Sequence, residues 1–275
     1  MLKKDGSTIW VSFNIAVKYE TNSDLTTSSD HSPNNAIKNR KIKWIDGVLE
    51  DITERKEAIK RLETLNVAYE RFVPHEFLHT LGKKSIEDVQ LNDRIEQDMS
   101  ILFSDIRQFC TLSETMTLED NFRFINSYLS YMGPAVRQHH GFIDKFIGDS
   151  IMALFGRSAD DAVSAAVMML RNLKNYNEGR KRAGYSPVKI GIGINTGNLM
   201  LGTIGETHRM EGTVIGDAVN VASRLEKLTK HYKIPLLISE YTLNALKDPS
   251  IYTIKFVDCV LFKGKSRHIS VYEVL

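Results

Sequence analysis

Apolar and polar positions follow two different periods along the chain, and these periods predict its elements. Residues 7–20 partly alternate and are rich in β-branched and aromatic side chains, which predicts a strand. A second strand is predicted over residues 41–52. The polar, low-complexity stretch 21–36 between them predicts a flexible loop without core potential. Because two strands and a long loop do not make a stable domain, we expect this piece to be incomplete.

A helical period begins at Thr53, which is a good N-cap residue with acidic side chains in the turn that follows. Ile52, Ile59 and Asn66 lie seven residues apart, which is typical of a thin, imperfect coiled-coil seam. A solvated linker helix would also fit this pattern. The dimeric helix is favoured because a polar helix alone lacks a partner. Pro74 is predicted to end or kink the helix.

From Met99 onward, strand and helix patterns alternate. The sequence MSILFSD predicts a short buried strand, and residues 141–156 predict two apolar strands with a Gly-Asp-Ser turn between them. Residues 188–205 predict a strand pair that turns at Asn195–Asn198. Helices are predicted over 117–139, 158–183 and the segment GDAVNVASRLEKLTK, and further strands near 235–239, 253–262 and 267–274. The first of these helices carries Phe122, Ile125, Tyr128, Leu129 and Met132 on one side. Strand–helix–strand runs with hairpins predict an α+β fold rather than a doubly wound sheet.

The composition of the chain argues against several classes of protein, namely nucleic-acid-binding, membrane and disulfide-rich proteins. The chain has 275 residues, of which 42% are hydrophobic and 25% charged, as in an ordinary globular protein. A net charge of +2 gives no global field toward nucleic acid or an anionic membrane. Two cysteines, Cys110 and Cys259, are too few for a disulfide framework, so we expect a reducing cytoplasm. No signal-peptide core and no apolar run of about 20 residues is present, so no membrane contact is expected.

Two motifs in the chain suggest other functions. His75-Glu76-Phe77-Leu78-His79 matches H-E-x-x-H, but the third histidine of the extended zinc-protease motif would fall at Ser85. Glu87 or Glu96 could still act as a third ligand, whereas Pro74 with Glu76 equally predicts a helix start. The stretch GIGINTG is similar to a dinucleotide-binding loop, yet its glycines interrupt a strand pattern. Structural glycines at a close backbone approach are the favoured interpretation.

Two aspartates stand at predicted strand ends. Asp105 closes the strand MSILFSD, and Asp149 lies at the turn within residues 141–156. If the strands are neighbours, the carboxylates converge into a site suited to Mg²⁺, which retains waters and takes substrate phosphates. The helix-entry turn after Asp105 would favour phosphate. Alternatively, each aspartate is only a helix-entry or hairpin-turn residue.

Three more polar residues complete the candidate chemistry. Asn220 and Arg224 lie four apart and share a helix face, and Lys263 lies near a strand end. Arginine and lysine side chains commonly stabilise a phosphoryl group in transfer.

The segments that carry these residues resemble the catalytic domain of class III nucleotidyl cyclases. The resemblance covers roughly residues 97–275, and its motifs fall in the family order: FSDIRQFCTLSE, GFIDKFIGDSIMALF, IGINTGNLMLGTIG, TVIGDAVNVASRLE and FKGK. It implies a ferredoxin-like α+β fold. It also implies an adenylate cyclase that converts ATP to 3′,5′-cyclic AMP and pyrophosphate with two Mg²⁺ or Mn²⁺ ions.

The resemblance implies a role for each matching position. Asp105 and Asp149 would hold the metals, assisted by the Ile106 carbonyl. Asn220 would orient the ribose, Arg224 would stabilise the reacting phosphorus, and Lys263 would bind the polyphosphate. The triphosphate would lie in a turn formed by Ile106, Arg107, Gln108, Phe109, Cys110 and Thr111.

Lys145 and Thr213 would read the base. Adenine offers an acceptor at N1 and a donor at its amino group, which match the lysine ammonium and the threonine hydroxyl. Guanine presents the reverse pattern, so this pair favours ATP. A guanylate cyclase and an inactive cyclase-like dimer are the alternatives. Asn198 stands where some relatives have a phosphate-contacting arginine, which leaves that contact open.

In this family the active site lies between two chains, so the resemblance also implies a homodimer with two equivalent sites. Residues 1–60 resemble the last strands and exit helix of a PAS sensor domain, which implies regulation by an upstream sensor. The expected division is a partial sensor over 1–53, a signalling helix and linker over 54–96, and the catalytic domain over 97–275. No role is assigned to Asp144.

Overall fold

The computed structural model describes residues 9–19, 42–264 and 266–275, which divide between two compact units, Met1–Phe72 and Val73–Leu275. Residues 73–96, which were predicted to belong to the linker, are part of the second compact unit. In that stretch, Phe77 and Leu78 are buried in the core of the second unit. No helix in the described ranges is both long and apolar enough to cross a bilayer.

The first unit contains the two predicted strands and the predicted helix. β1 (Val11–Tyr19) and β2 (Ile42–Asp51) pair antiparallel, and α1 (Thr53–Glu70) follows. Thr53 is not the N-cap, because Ile52 holds that position. The Thr53 hydroxyl instead accepts a hydrogen bond from the Trp10 N–H at 2.9 Å. The predicted loop at 21–36 lies outside the described residues, and the coiled-coil seam on α1 stays a prediction.

The second unit is built on one eight-stranded sheet, with strand order β4-β5-β3-β6-β8-β10-β9 and β7 paired to β6. Its helices are α2 (His75–Thr80), α3 (Phe109–Ser113), α4 (Leu118–Gln138), α5 (Ala159–Arg182), α6 (Asp217–Tyr232) and α7 (Glu240–Ala245). Its strands are β3 (Arg94–Ile106), β4 (Phe142–Ile147), β5 (Ser150–Phe155), β6 (Ile190–Glu206), β7 (Arg209–Ile215), β8 (Leu236–Ser239), β9 (Ile254–Val260) and β10 (Ile269–Val274). Short 3₁₀ turns lie at Ile86–Asp88 and Pro249–Ile251. The predicted α+β class is confirmed.

Both faces of the sheet are covered around β3, which explains its continuous apolar run. Successive strand residues point to opposite faces, and neither Ile101 nor Leu102 exposes any surface. Leu102 packs in the cluster with Tyr128 of α4, whereas Ile101 packs in the cluster with Ala222 of α6. The central strand is therefore held from both sides, and its last residues are fixed in position.

Two detailed predictions were wrong. Residues 188–205 do not turn at Asn195–Asn198, because β6 runs unbroken to Glu206 and the chain reverses before β7. Asn195 is buried and serves a different purpose, since its amide donates to the Ala218 carbonyl at 3.0 Å and accepts from the Ser239 hydroxyl at 2.6 Å. Phe122 does not lie on the buried side of α4, because it is 73% exposed and Phe124 takes that place.

The glycines of GIGINTG let helix α6 lie directly against β6, as the structural interpretation predicted. A β-carbon on Gly193 would collide with the backbone nitrogen of Glu226 and stand 2.7 Å from the carbonyl oxygen of Ala222. Backbone atoms cannot move aside as a flexible side chain can. Gly193 is therefore required for the helix–strand contact.

We expect Gly193→Ala to lower the free energy of unfolding by ~1–3 kcal/mol, the usual cost of overpacking a rigid contact. Gly179→Ala is the control, because nothing lies within 4 Å of its β-carbon position inside α5. That variant should gain ~0.5–1 kcal/mol from helix propensity. Urea denaturation measures both. If both substitutions change the free energy of unfolding equally, the contact between α6 and β6 does not require a glycine at position 193.

Candidate active site

Asp105 and Asp149 come together because a tight hairpin meets the end of the central strand. β4 and β5 are joined by the two-residue loop Gly148-Asp149, in which Gly148 takes φ +64°. Because β5 pairs with β3, this loop lies beside Ile106, whose N–H donates to Asp149 Oδ2 at 3.1 Å. The Ser150 hydroxyl donates to Asp105 Oδ1. The two carboxylates thus sit side by side, as the strand-end interpretation expected.

The pair stands in a partly buried, negatively charged environment. Burial, and then repulsion from Asp105, raises the pKa of Asp149 to about 6. Burial also raises the pKa of the Tyr128 phenol, with both aspartates adding to the effect. Two adjacent carboxylates in such a place form a site for a hard divalent cation. No cluster of three or more acidic, histidine or cysteine ligands occurs in the described part of the chain. A cation here would therefore keep positions for waters or phosphate oxygens.

The turn after Asp105 divides its N–H groups between the protein and the solvent side. Ile106 donates to Asp149, and Arg107 donates to the Lys189 carbonyl at 2.8 Å. Gln108 takes the left-handed conformation, φ 57°, and α3 begins at the next residue. The first N–H groups of a helix have no intrahelical acceptor, so those of Phe109, Cys110 and Thr111 can bind phosphate.

Arg107 differs from the expectation. Its N–H is already used, and its side chain turns into the domain, where Nη1 pairs with Glu226 Oε1 at 3.1 Å. Burial raises the pKa of Glu226 to about 7, with repulsion from Asp105 as the next cause and Arg107 opposing both. This arginine is therefore a structural partner of α6 rather than a phosphate ligand of the turn.

The structure brings the two base-reading candidates into contact. Lys145 Nζ lies 3.0 Å from the Thr213 hydroxyl oxygen, although β4 and β7 are not neighbours in the sheet. The same ammonium forms an ion pair with Glu211, whose pKa this hydrogen bond lowers. Glu211 was not among the predicted site residues. Its position two residues before Thr213, and so on the same strand face, was the available signal.

Asp144 is buried beside Lys145 because β4 is irregular there. The register shifts between Ile143 and Lys145, so the strand does not alternate at this point. The Asp144 side chain is only 3% exposed, and its Oδ2 lies 3.7 Å from Lys145 Nζ. Burial raises the pKa of Asp144 to about 6, while Lys145 opposes the rise. The Lys145 ammonium thus forms ion pairs with two carboxylates, those of Asp144 and Glu211.

Asn220, Arg224 and Lys263 form a separate group. Asn220 and Arg224 share one face of α6, and the Arg224 guanidinium lies 5.9 Å from the centre of the Phe262 ring. Lys263 follows Phe262 and is exposed. Within the described ranges, no hydrogen bond or ion pair joins Lys145, Thr213 or this group to the two aspartates.

The H-E-x-x-H segment has a packing role. α2 turns Phe77 and Leu78 into the core, and no ligand cluster forms around His75 and His79 among the described residues.

Comparison with known proteins places this geometry in a family. Residues 92–274 match the family described as "Adenylate and Guanylate cyclase catalytic domain". An adenylate cyclase from Anabaena cylindrica is 43% identical over 213 residues, which cover 75% of this chain and 42% of that protein. A terminal-differentiation-specific adenylate cyclase from Dictyostelium discoideum is 42% identical over 80% of this chain and 11% of its own length. The chain thus spans less than half the length of these curated relatives.

A solved structure of a bacterial light-regulated adenylyl cyclase superposes with a TM-score of 0.69 at 26% identity, over 81% of this chain and 64% of that one. Asp105, Asp149 and Lys145, with the sheet that holds them, lie within the family match over residues 92–274, which covers most of the second unit. The chain belongs to the adenylate and guanylate cyclase catalytic domain family.

Proposed function

We propose that this chain is an adenylate cyclase that converts ATP to 3′,5′-cyclic AMP and pyrophosphate. The observation that carries the proposal is the combination of the Asp105–Asp149 pair with the Lys145–Thr213 contact. The first suits a metal-bound triphosphate, and the second suits adenine. The Anabaena and Dictyostelium relatives, which are named adenylate cyclases, support the same conclusion.

The site residues fit a bound metal. Asp105, Asp149 and the Ile106 carbonyl would hold two Mg²⁺ or Mn²⁺ ions, which supply charge neutralisation and a more acidic ribose 3′-hydroxyl. The N–H groups of Phe109 to Thr111 would bind phosphate oxygens. In the reaction, the 3′-oxygen forms a bond to the α-phosphorus as the bond to pyrophosphate breaks.

Residues of α6 and the FKGK loop would act on the other side of the nucleotide. Asn220 would orient the ribose so that its 3′-oxygen is in line with the leaving group. Arg224 would stabilise the charge that develops on the α-phosphate, because a guanidinium offers several N–H donors in a plane. Lys263 would neutralise the polyphosphate.

Base choice follows from Lys145 and Thr213. The lysine would donate to adenine N1, and the threonine hydroxyl would accept from the amino group. The fold itself does not discriminate, since a guanylyl cyclase, Cya2, superposes with a TM-score of 0.60 at 32% identity over 66% of this chain and 92% of that one. Glu211 accepts one hydrogen bond from the Lys145 ammonium. When adenine binds, the base would either displace Glu211 from this ammonium or use another of its N–H donors.

Two chains are needed in this proposal. In one chain, no contact among the described residues links the base-reading pair to the aspartates, as noted above. Exposed apolar side chains lie on β4 and β7, the strands that carry the base-reading pair, and on β6, which pairs with β7. Each exposes 45–60% of its surface, and they are Phe146, Ile147, Ile204, Met210 and Ile215. Such a patch on a soluble domain marks an interaction surface. A two-fold dimer would cover it and place one chain's aspartates opposite the partner's base-reading pair.

We further propose that β1, β2 and α1 belong to a PAS-like sensor and its exit helix. The antiparallel strand pair followed at once by a helix supports this proposal.

The direct test incubates the purified chain with ATP or GTP and Mg²⁺ or Mn²⁺ and measures cyclic nucleotide. We expect cyclic AMP as the main product, and none from Asp105→Asn, which keeps the shape but not the charge. If no product forms under any of the four conditions, the enzyme proposal is wrong. If cyclic GMP is the main product, the substrate is GTP rather than ATP.

Mixing two inactive variants tests the shared site. Asp105→Asn and Arg224→Ala should each be inactive alone. Random exchange gives half mixed dimers, each with one intact site, so activity should return to about a quarter of wild type. Analytical ultracentrifugation checks that both variants still dimerise. If both dimerise and exchange yet no activity returns, each site is formed within a single chain.

Base selectivity is tested by Lys145→Glu with Thr213→Cys, which offers guanine an acceptor for N1–H and a donor for O6. The ratio of kcat/KM for ATP to that for GTP should fall by at least ~10-fold, because each mismatched polar contact costs ~1 kcal/mol or more. Glu211→Gln is the control, since it changes a residue near Lys145 but keeps the base-reading pair. An unchanged ratio in the double variant would refute the assigned roles.

The raised pKa of Asp149 predicts a pH-dependent stability in metal-free protein. The folded state binds this proton more tightly than the unfolded state, so stability should fall as pH rises from 3.8 to about 6. Asp149→Asn should lack this component of the fall, and Asp105→Asn should reduce it by removing the repulsion. Urea unfolding at several pH values in a chelator measures it. Parallel curves for wild type and Asp149→Asn would show that the carboxyl is not perturbed.

A further inference from the structure

A cavity lies behind the turn that follows Asp105, and two residues of that turn, Arg107 and Gln108, are among those that line it. It has a volume of about 860 Å³ and lies between α5, the end of α6 and the segments 187–190 and 233–235. Of the proposed catalytic, base-reading and metal-binding side chains, none lines it. It is large enough for a ligand of nucleotide or medium-chain acyl size.

The cavity combines an apolar floor with a cationic rim. Leu170, Leu173, Val188, Ile190 and Ile234 contribute apolar surface. The lining includes one acidic side chain, Glu178, and six cationic side chains. The cationic residues are Arg107, Lys174, Lys181, Lys189, Lys230 and Lys233. All five lysines are exposed, and none of them forms an ion pair with any residue that the structure describes.

Hydrogen bonds fix the segments that form the walls of the cavity. The Asn177 side chain holds the segment at Val188 with two hydrogen bonds, since its amide donates to the Val188 carbonyl and accepts from the Val188 N–H, each at 2.8 Å. The opposite wall is tied where the Ile192 N–H donates to the Pro235 carbonyl at 2.8 Å. A ligand would therefore meet a fixed surface and lose little affinity to loop ordering.

Arg107 is one of the residues that line this cavity. Its Nη1 binds Glu226, whereas Nη2 is buried with no hydrogen-bond partner in the described part of the chain. A buried guanidinium donor without an acceptor is costly. Gly191 provides the space for it, because any β-carbon there would collide with Nη2. Arg107 thus places a cationic group in the cavity wall, where it pairs with Glu226.

We propose that this cavity binds a small anionic amphiphile, in which an apolar chain lies on the floor and a carboxylate or phosphate meets the lysine rim. A neutral apolar molecule would leave the rim unpaired, and a free inorganic anion would leave the floor exposed to water. Charge complementarity and apolar contact are both required for tight binding, so the two parts of the ligand should act together.

Isothermal titration calorimetry on the full chain tests this with decanoate, decanol and inorganic phosphate as probes. Decanoate should bind with one site per chain, and the other two should each bind at least ~10-fold more weakly. No saturable binding of decanoate, or equal binding of decanol, would overturn the proposal. Because this readout does not involve nucleotide turnover, it stands or falls separately from the cyclase proposal.

Charge-reversal variants locate the site. Lys174→Glu with Lys189→Glu should weaken decanoate binding by roughly 10-fold or more. Lys247→Glu with Lys255→Glu makes the same charge change at exposed lysines outside the cavity and should leave binding unchanged. Lys230→Glu with Lys233→Glu, on the opposite wall, provides a second variant if the first fails to fold by circular dichroism. Equal loss in rim and control variants would mean that decanoate responds only to overall charge.

Discussion

The placement of two aspartates, Asp105 and Asp149, side by side at the end of β3 is the constraint on which the candidate active site depends. Packing on both faces of β3 fixes one carboxylate, and the tight β4–β5 hairpin carries the other to within hydrogen-bonding distance of Ile106. Burial and the neighbouring Asp105 raise the pKa of Asp149 to about 6, because the fold places this carboxylate beside a second one without a cationic partner among the described residues. Divalent cations at this pair would supply the missing positive charge and could in turn bind the phosphates of a nucleotide, which links the stability of this corner to its chemistry.

Much of this could be predicted from the sequence, because the strongest signals are local. The buried run before Asp105, the Gly148-Asp149 turn and the helical spacing of Asn220 and Arg224 each follow from periodicity or turn chemistry, and the structure contains all three elements. The family resemblance then added roles that periodicity cannot provide.

The remaining features depend on contacts between distant segments. Asn195 looked like a turn residue, but it is the buried link between β6, α6 and β8. The place of Glu211 two residues before Thr213 was a signal, but its ion pair with Lys145 became clear only from the folded sheet. Arg107 lies in the turn that was predicted to bind phosphate, yet its side chain fills the space left by Gly191 and pairs with the carboxylate of Glu226. In each case the sequence shows the residue type, while its partner comes from a segment many residues away.

We propose above all that one nucleotide bridges two chains, with its phosphates on one chain and its base on the other. A crystal structure of the full chain with an unreactive ATP analogue and Mn²⁺ tests it most directly. The account predicts metal density between Asp105 and Asp149 of one chain, and adenine within hydrogen-bonding distance of the other chain's Lys145 and Thr213. Adenine bound away from both side chains, or metal bound elsewhere than at the two aspartates, would contradict it.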